Sequence, residues 1–491
     1  MKKETEVLII GGGVVGTAIA RELAKYKLDV TLVEKEADVC TGTSKANTAL
    51  LHAGFNADFN TLKGKLNVRG NELYHQLEKE LDVPIEWIGA LVVAKKEAEL
   101  AKLEELLENG QQNGVPDLEI LKREELFKLE PNLSPDAIAA LYAPTAGIVN
   151  PFELTVAFAE NAVENGVEVL LEAEVLDIKE QGNYKLVRTA QGDIEAELVI
   201  NAAGLYSDKI ANMVGIDDFE ITPRKGEYYL YDKKLDLDVN HTIFPVPTEV
   251  SKGIVITPTD EVNLLIGPNA EEVEDKSDLA NTREGLDEVM SGAQKTIPDL
   301  GMSGVIKQFS GLRAAIKETE DFLIEASEKV EGFINVAGIQ SPGLASAPAI
   351  AEMVAGIVEK EYDELELDPD FNPEHQGIPR FRHLSHQERA KLLEGNEDYG
   401  EIICRCESIT KGEIIDAIRG PIGARTVNAV KRRVRPGAGR CQGGFCEPKV
   451  VEILAEELGI EPTEVKLEGQ GSQLLVEPAK ESLQKEVSDS E

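Results

Sequence analysis

Two groups of residues in this 491-residue chain have the types and spacing that chemistry requires. The first is a glycine turn, Gly11-Gly12-Gly13-Val14-Val15-Gly16, directly after the apolar run 6–10. Gly11 permits a tight turn, Gly13 lets backbone come close to a pyrophosphate, and Gly16 lets a helix pack on a strand; the helix start offers N–H groups to the phosphates. Glu34 closes the next apolar run and can accept hydrogen bonds from a ribose. The second group is a set of thiols. Four of the five cysteines, Cys404, Cys406, Cys441 and Cys446, fall within 43 residues and read C-x-C, then 34 residues, then C-x4-C. Two such pairs on two loops can surround a small centre, and thiolates suit iron–sulfur or zinc. Between 424 and 441 the chain carries six cations and no acid: Arg425, Lys431, Arg432, Arg433, Arg435 and Arg440. Cations there would offset the negative charge of a thiolate-bound cluster, which favours iron–sulfur over zinc, and a basic patch could also dock a redox partner. Cys40 stands apart and reads as a small buried residue.

The elements that must position these groups follow from patterning. Strand 6–10, the glycine turn, helix 17–26 and strand 30–34 form a βαβ unit, the dinucleotide-binding arrangement, which leaves NAD and FAD both open. Three later segments bear on that choice. Residues 167–178 read as a strand-pair edge, 198–201 as a strand running into Ala202-Ala203-Gly204, and 333–337 as a strand ending in Gly338. After it, Ser341-Pro342-Gly343 leads into an apolar helix, 345–358. Small residues after a strand let a cofactor lie against backbone. The positive end of the last helix suits the charge a reduced flavin develops at its pyrimidine edge.

Composition sets the class. At roughly 150 residues per domain the length implies about three domains. The 51 Lys+Arg against 90 Asp+Glu leave a charge of −39, which repels nucleic acid and anionic lipid. No window approaches 18 uninterrupted apolar residues, and the amino terminus is too acidic for a signal peptide, so a cytoplasmic protein without a transmembrane segment is expected, with peripheral membrane contact left open. Residues 359–400 are charged and proline-bearing, as a linker is, with a short helix expected at 385–394.

On these residues the chain resembles the FAD-dependent oxidoreductases of the D-amino-acid oxidase type, within them the FAD-linked glycerol-3-phosphate dehydrogenases and oxidases. The stretches that carry the resemblance are VLIIGGGVVGTAIARELAKYKLDVTLVEKE, TGTSKANTALLHAGF, VINAAGLYSD, PRKGEYYL, SGLRAAI and VAGIQSPGLASAPAIAE, over about the first 360 residues. CRCESITKGEI and GRCQGGFC resemble the bacterioferritin-associated-ferredoxin-like domain, which carries a [2Fe–2S] cluster. The resemblance implies an α/β (α+β) fold: a Rossmann-like FAD-binding domain built from 1–85, 146–214 and 331–360, interleaved with an antiparallel-sheet substrate domain at 86–145 and 215–330. A linker at 361–399, a small helical [2Fe–2S] domain at 400–465 and a mobile acidic tail at 470–491 complete it.

By the same resemblance, FAD contacts fall on Gly11, Gly13, Val15, Gly16, Glu34, Lys35, Thr43, Ser44, Asn47, Val175, Ala203, Gly204, Gly338, Ser341, Gly343 and Leu344. His52 is the proposed base, since an imidazole can take a hydroxyl proton as hydride leaves the neighbouring carbon. Arg313 and Lys252, joined by Ser341, bind the anionic end of the substrate. The competing readings are a core histidine for His52 and surface ion-pairing for Arg313 and Lys252. The expected activity is oxidation of sn-glycerol 3-phosphate to dihydroxyacetone phosphate, with electrons leaving through the cluster to a quinone or redox protein. L-2-hydroxyglutarate and amino-acid or secondary-amine oxidation remain alternatives, as does an electron-transfer subunit without a substrate site; a homo-oligomer or partner subunit is left open.

Overall fold

The structure, a computed structural model, describes residues 3–247, 253–362 and 364–477. Lys252 and the tail beyond residue 477 lie outside the described residues. The chain divides into two units, Met1–Lys35 with Val39–His375, and Glu36–Asp38 with Gln376–Glu491.

The first unit holds two large sheets. Lys3–Ile10 is the centre of one, because Val7, Leu8 and Ile9 are fully buried and a strand covered on both faces must be apolar without alternation. It pairs in parallel with Val30–Val33 on one side and Gly192–Asn201 on the other. Phe333–Ala337 extends the parallel set beyond Gly192–Asn201. The stretch 167–178 is two strands rather than one edge. Glu168–Leu170 pairs with Val30–Val33, whereas Val175–Gln181 joins Tyr184–Thr189 at the opposite end of the sheet. The helices Val14–Leu23, Pro151–Glu164 and Gly343–Glu361 cover one face, and Leu62–Glu80 crosses Gly343–Glu361 at Gly70, where a Cβ would come within 2.0 Å of the Ala345 carbonyl oxygen.

The second sheet has nine strands and is antiparallel except where Thr242–Pro245 runs parallel to Ala90–Ala94. Its longest pair, Ile221–Tyr231 with Val305–Ile316, sets Arg224 directly opposite Arg313. A small three-stranded sheet, Leu50–Leu51, Gly147–Val149 and Ile85–Glu86, ends at His52 on its first strand. The only tryptophan, Trp87, follows Ile85–Glu86, stacks on His75 at 4.0 Å between ring centroids and donates its indole N–H to Glu78.

The second unit is mostly helical. The helices Lys411–Arg419, Val427–Val434 and Glu447–Leu458 pack on the Ile402–Cys404 and Ile409–Thr410 hairpin around a core that includes Ile414, Val430, Val450 and Leu454. Thr410 with Glu413 and Ser385 with Glu388 form capping boxes at the starts of Lys411–Arg419 and His386–Gly395. The latter helix occupies the segment where a short one was expected.

Candidate active site

The strand, glycine turn and helix at the amino terminus make a cradle that only small residues allow. Gly11 has φ +116°, and a Cβ on it would stand 2.4 Å from the Ala202 carbonyl oxygen. On Gly16 a Cβ would meet the Gly11 carbonyl oxygen at 2.0 Å, so the first turn of Val14–Leu23 lies hard against the strand end. That turn contains no acidic residue, and its first N–H groups lack intrahelical partners, as an anion site requires. Val15 is half-buried in the same turn. Around it the structure gathers distant segments. Glu34 accepts the Gly12 N–H at 2.7 Å, Ser44 accepts the Val14 N–H at 2.9 Å, and Thr43 donates to the Leu312 carbonyl at 2.7 Å. Asn47 donates to the Ser44 carbonyl and accepts the Ala49 N–H, which fixes the bend before Leu50–Leu51.

The other expected FAD contacts follow from strand ends. Lys35 lies 4.1 Å above the Tyr206 ring, and Ala203 and Gly204, the latter at φ +55°, lead into that tyrosine. Val175 opens its strand opposite Thr189. Gly338, at φ +70°, ends Phe333–Ala337, and Gly343 starts the helix whose Leu344 carbonyl accepts the Tyr74 hydroxyl at 2.7 Å. A steric cradle that excludes Cβ atoms, an uncharged helix start and a carboxylate at the second strand end together fit the diphosphate and ribose of FAD.

His52 and Ser341 meet, with the serine hydroxyl 3.4 Å from Nε2. The backbone carbonyl of His52 accepts the Asn67 side chain at 2.6 Å and that of Asn71 at 3.3 Å, both from one face of Leu62–Glu80. Phe244 lies 5.8 Å from the imidazole, ring centroid to centroid. These three neighbours were not singled out in the sequence; the i, i+4 spacing of Asn67 and Asn71 on a helix was the available signal.

Arg313 is not a surface ion pair. Its Nε donates to the Arg224 carbonyl at 3.4 Å, and one terminal nitrogen donates to the Lys225 and Asn269 carbonyls at 3.3 and 2.6 Å. Of five guanidinium N–H groups these use three, and the two on Nη1 make no hydrogen bond among the described residues. Burial lowers its pKa, with Arg224 adding to that and Tyr228 opposing it. The like-charged neighbour Arg224 is directed instead to Glu320 at 3.1 Å, and Glu320 in turn accepts Gln340, the residue before Ser341, at 3.2 Å. The flanking residues bind this strand to the FAD-side segment: Gly311 lies against Ala46, where a Cβ would come within 2.2 Å of its carbonyl oxygen. Lys252 cannot be assigned a place, being outside the described residues. A surface cleft of about 770 Å³ holds none of the expected residues; Asp58, Glu99, Glu105 and Glu108 line it, a poor setting for an anionic substrate.

In the second unit the four thiols come together in pairs. Cys406 and Cys441 are 3.5 Å apart, and Cys404 is hydrogen-bonded with Cys446. That hydrogen bond, with backbone N–H groups of Gly437 and Glu407, holds the Cys404 thiol down at about 6; burial, then Cys441, pushes Cys406 up to about 11, and the Cys404 bond followed by burial raises Cys446. Among the described residues no three His, Cys, Asp or Glu groups are arranged to enclose a single metal ion. Two thiol pairs with backbone donors directed at one sulfur fit a two-iron cluster, which takes four thiolates. Of the six cations expected to form a basic patch, Arg425 and Arg440 are exposed, but two are buried inside the unit. Arg432 and Arg433 are each 5% exposed and both bind Asp38, at 2.8 and 2.9 Å, while Arg432 also binds Glu468 at 2.7 Å. Burial alone would raise the Asp38 pKa, but Arg433 and Arg432 together hold it below the usual carboxylate value. Cys40 is fully buried, as expected.

Comparison with known proteins finds a family match in each of two stretches of the chain. Residues 6–357 match the family described as DAO, FAD dependent oxidoreductase, and 402–456 match the BFD-like [2Fe-2S] binding domain. A glycerol 3-phosphate dehydrogenase of Caloramator mitchellensis is 49% identical over 98% of this chain and 100% of its own. The FAD-bound, dithionite-reduced L-alpha-glycerophosphate oxidase of Mycoplasma pneumoniae superposes with a TM-score of 0.73 at 32% identity, over 76% of this chain and 98% of its own. The mitochondrial L-2-hydroxyglutarate dehydrogenase of Homo sapiens is 28% identical over 73% of this chain and 89% of its own. Among the described residues no helix is long and apolar enough to cross a membrane.

Proposed function

Because the chain belongs to the FAD-dependent oxidoreductase family, we propose that it oxidises sn-glycerol 3-phosphate to dihydroxyacetone phosphate and passes the electrons through a [2Fe–2S] centre to a quinone or protein acceptor. The observation that carries this reading is the likeness to the Caloramator glycerol 3-phosphate dehydrogenase, which runs through both units at 49% identity. FAD held by the 11–16 cradle, Glu34, Lys35, the 43–47 segment, Val175, Ala203–Gly204 and the 338–344 loop supplies the acceptor for the carbinol hydride. The rest falls to side chains. His52 takes the hydroxyl proton at Nε2, which requires a neutral imidazole, and Ser341 orients that nitrogen. Asn67 and Asn71 fix the backbone from which the imidazole projects. Arg313 binds the phosphate through the two N–H groups of Nη1, with Lys252 as the second cation. Cys404, Cys406, Cys441 and Cys446 hold the cluster.

Anaerobic addition of glycerol 3-phosphate at millimolar concentration is expected to bleach the flavin absorbance. L-2-Hydroxyglutarate, glycine and L-proline, tested alongside, are expected to leave it unchanged. Bleaching by one of those and not by glycerol 3-phosphate overturns the substrate assignment. Loss of the visible cluster absorbance on substitution of Cys441 by serine tests the ligand set.

A further inference from the structure

Phe445 is 84% exposed, although the next residue, Cys446, is 1% exposed. Gln442 at φ 48° and Gly443 at φ +91° reverse the chain just before it. A single exposed apolar side chain is ordinary on a protein surface, so its neighbourhood decides whether it matters. Arg405 lies between Cys404 and Cys406, and Arg440 immediately precedes Cys441; both are exposed. Each of the three segments therefore carries a cysteine beside an outward cation or aromatic. Because Cys406 meets Cys441 at 3.5 Å and Cys404 bonds to Cys446, residues 405, 440 and 445 border one thiol cluster. Aromatic residues and arginine are the types that dominate the energetics of protein–protein interfaces.

We propose that Phe445, Arg405 and Arg440 form the docking face for a small one-electron carrier protein whose own face is acidic with an apolar centre. This rests on the proposed function only in taking the cysteines to hold an electron-transfer centre. Charge complementarity argues for that occupant: in a chain of net charge −39, exposed cations at the thiol site give an acidic partner a local landing point, whereas an extended anionic lipid surface would meet the repulsion of the whole chain. The electrons balance. Oxidation of one alcohol to a ketone releases two electrons and two protons; two carriers accept one electron each, in succession, and the protons pass to solvent.

The test uses the holoenzyme and flavodoxin as an acidic probe carrier. Binding is measured by fluorescence anisotropy at low and high salt, and electron entry from photoreduced flavodoxin is followed by bleaching of the enzyme's visible absorbance. Wild type is expected to bind at low salt and release at high salt. Phe445→Ala is expected to weaken binding about tenfold, and Arg405→Glu more than tenfold with a shallower salt dependence. Both variants should keep the cluster absorbance, the bleaching by glycerol 3-phosphate and the reduction of a small dye. Absence of flavodoxin binding, equal binding by wild type and variants, binding to anionic vesicles in its place, or a change of oligomeric state in the variants overturns the proposal. Failure of glycerol 3-phosphate to bleach wild-type flavin overturns the substrate assignment instead, and leaves the anisotropy result to be read by itself.

Discussion

The FAD cradle and the cysteine site solve positioning in opposite ways. The cradle draws on segments spread from residue 11 to residue 344 and fixes them by backbone approach: Gly11 on Ala202, Gly16 on Gly11, Gly311 on Ala46. Its tolerance is steric, so one added methyl group is felt. The cysteine site comes from 43 contiguous residues and is held by side chains, among them a carboxylate buried between two guanidinium groups. Its tolerance is electrostatic. A buried ion pair tolerates small shape changes but not loss of one partner, whereas a close backbone contact has the reverse sensitivity.

That contrast can be broken most decisively with Gly16→Val, whose side chain has no room against the Gly11 carbonyl. The protein should purify without flavin absorbance while retaining the cluster spectrum; loss of both signals would mean that the two sites are not separable. A smaller effect is expected for His52→Asn, which should keep FAD and reduce the rate constant of flavin bleaching by about 10²–10⁴-fold, the range of a lost general base. Retention of the wild-type rate would return His52 to a structural role. Asp38→Asn leaves buried Arg433 without its carboxylate and Arg432 with Glu468 alone, and should destabilise the unit of Glu36–Asp38 and Gln376–Glu491 by about 3–5 kcal/mol, read as earlier thermal loss of the cluster absorbance. The sign with pH follows from the depressed pKa of the folded state. The stabilisation is full above the unfolded value of about 3.9 and is lost as pH falls through the folded value, so wild type should lose this advantage over the variant only in acid. The mildest change is Arg313→Lys, which keeps the charge but loses the planar fork; a KM rise of about 10–100-fold with a smaller fall in kcat is expected from steady-state dye reduction.

Much of the cradle was legible because its signals are local. A glycine turn between an apolar run and a helix, and an acid at the second strand end, need only adjacent residues to be read. The Rossmann-like sheet and the gathering of the four thiols followed from the same kind of pattern, although the thiols meet across the two loops, Cys406 with Cys441 and Cys404 with Cys446. Other features depend on which strands meet. Nothing in 167–178 tells that Leu170 and Val175 belong to opposite ends of one sheet, since the division is made by pairing with Val30–Val33 and Tyr184–Thr189. Likewise, the cations at 432 and 433 look available in sequence; their partner, Asp38, is nearly 400 positions earlier. The hydrogen bonds of Arg313 were illegible for a related reason: all three acceptors are backbone carbonyls, which every residue carries.

The stacking of Trp87 on His75 gives the molecule a built-in optical label. As the sole indole in 491 residues, it lies in Val39–His375, whereas the four clustered thiols belong to the other unit. Indole emission and visible cluster absorbance therefore give two melting curves from one sample, one from each unit. Their coincidence or separation on heating measures how cooperatively the two units unfold, with no dye or engineered probe added.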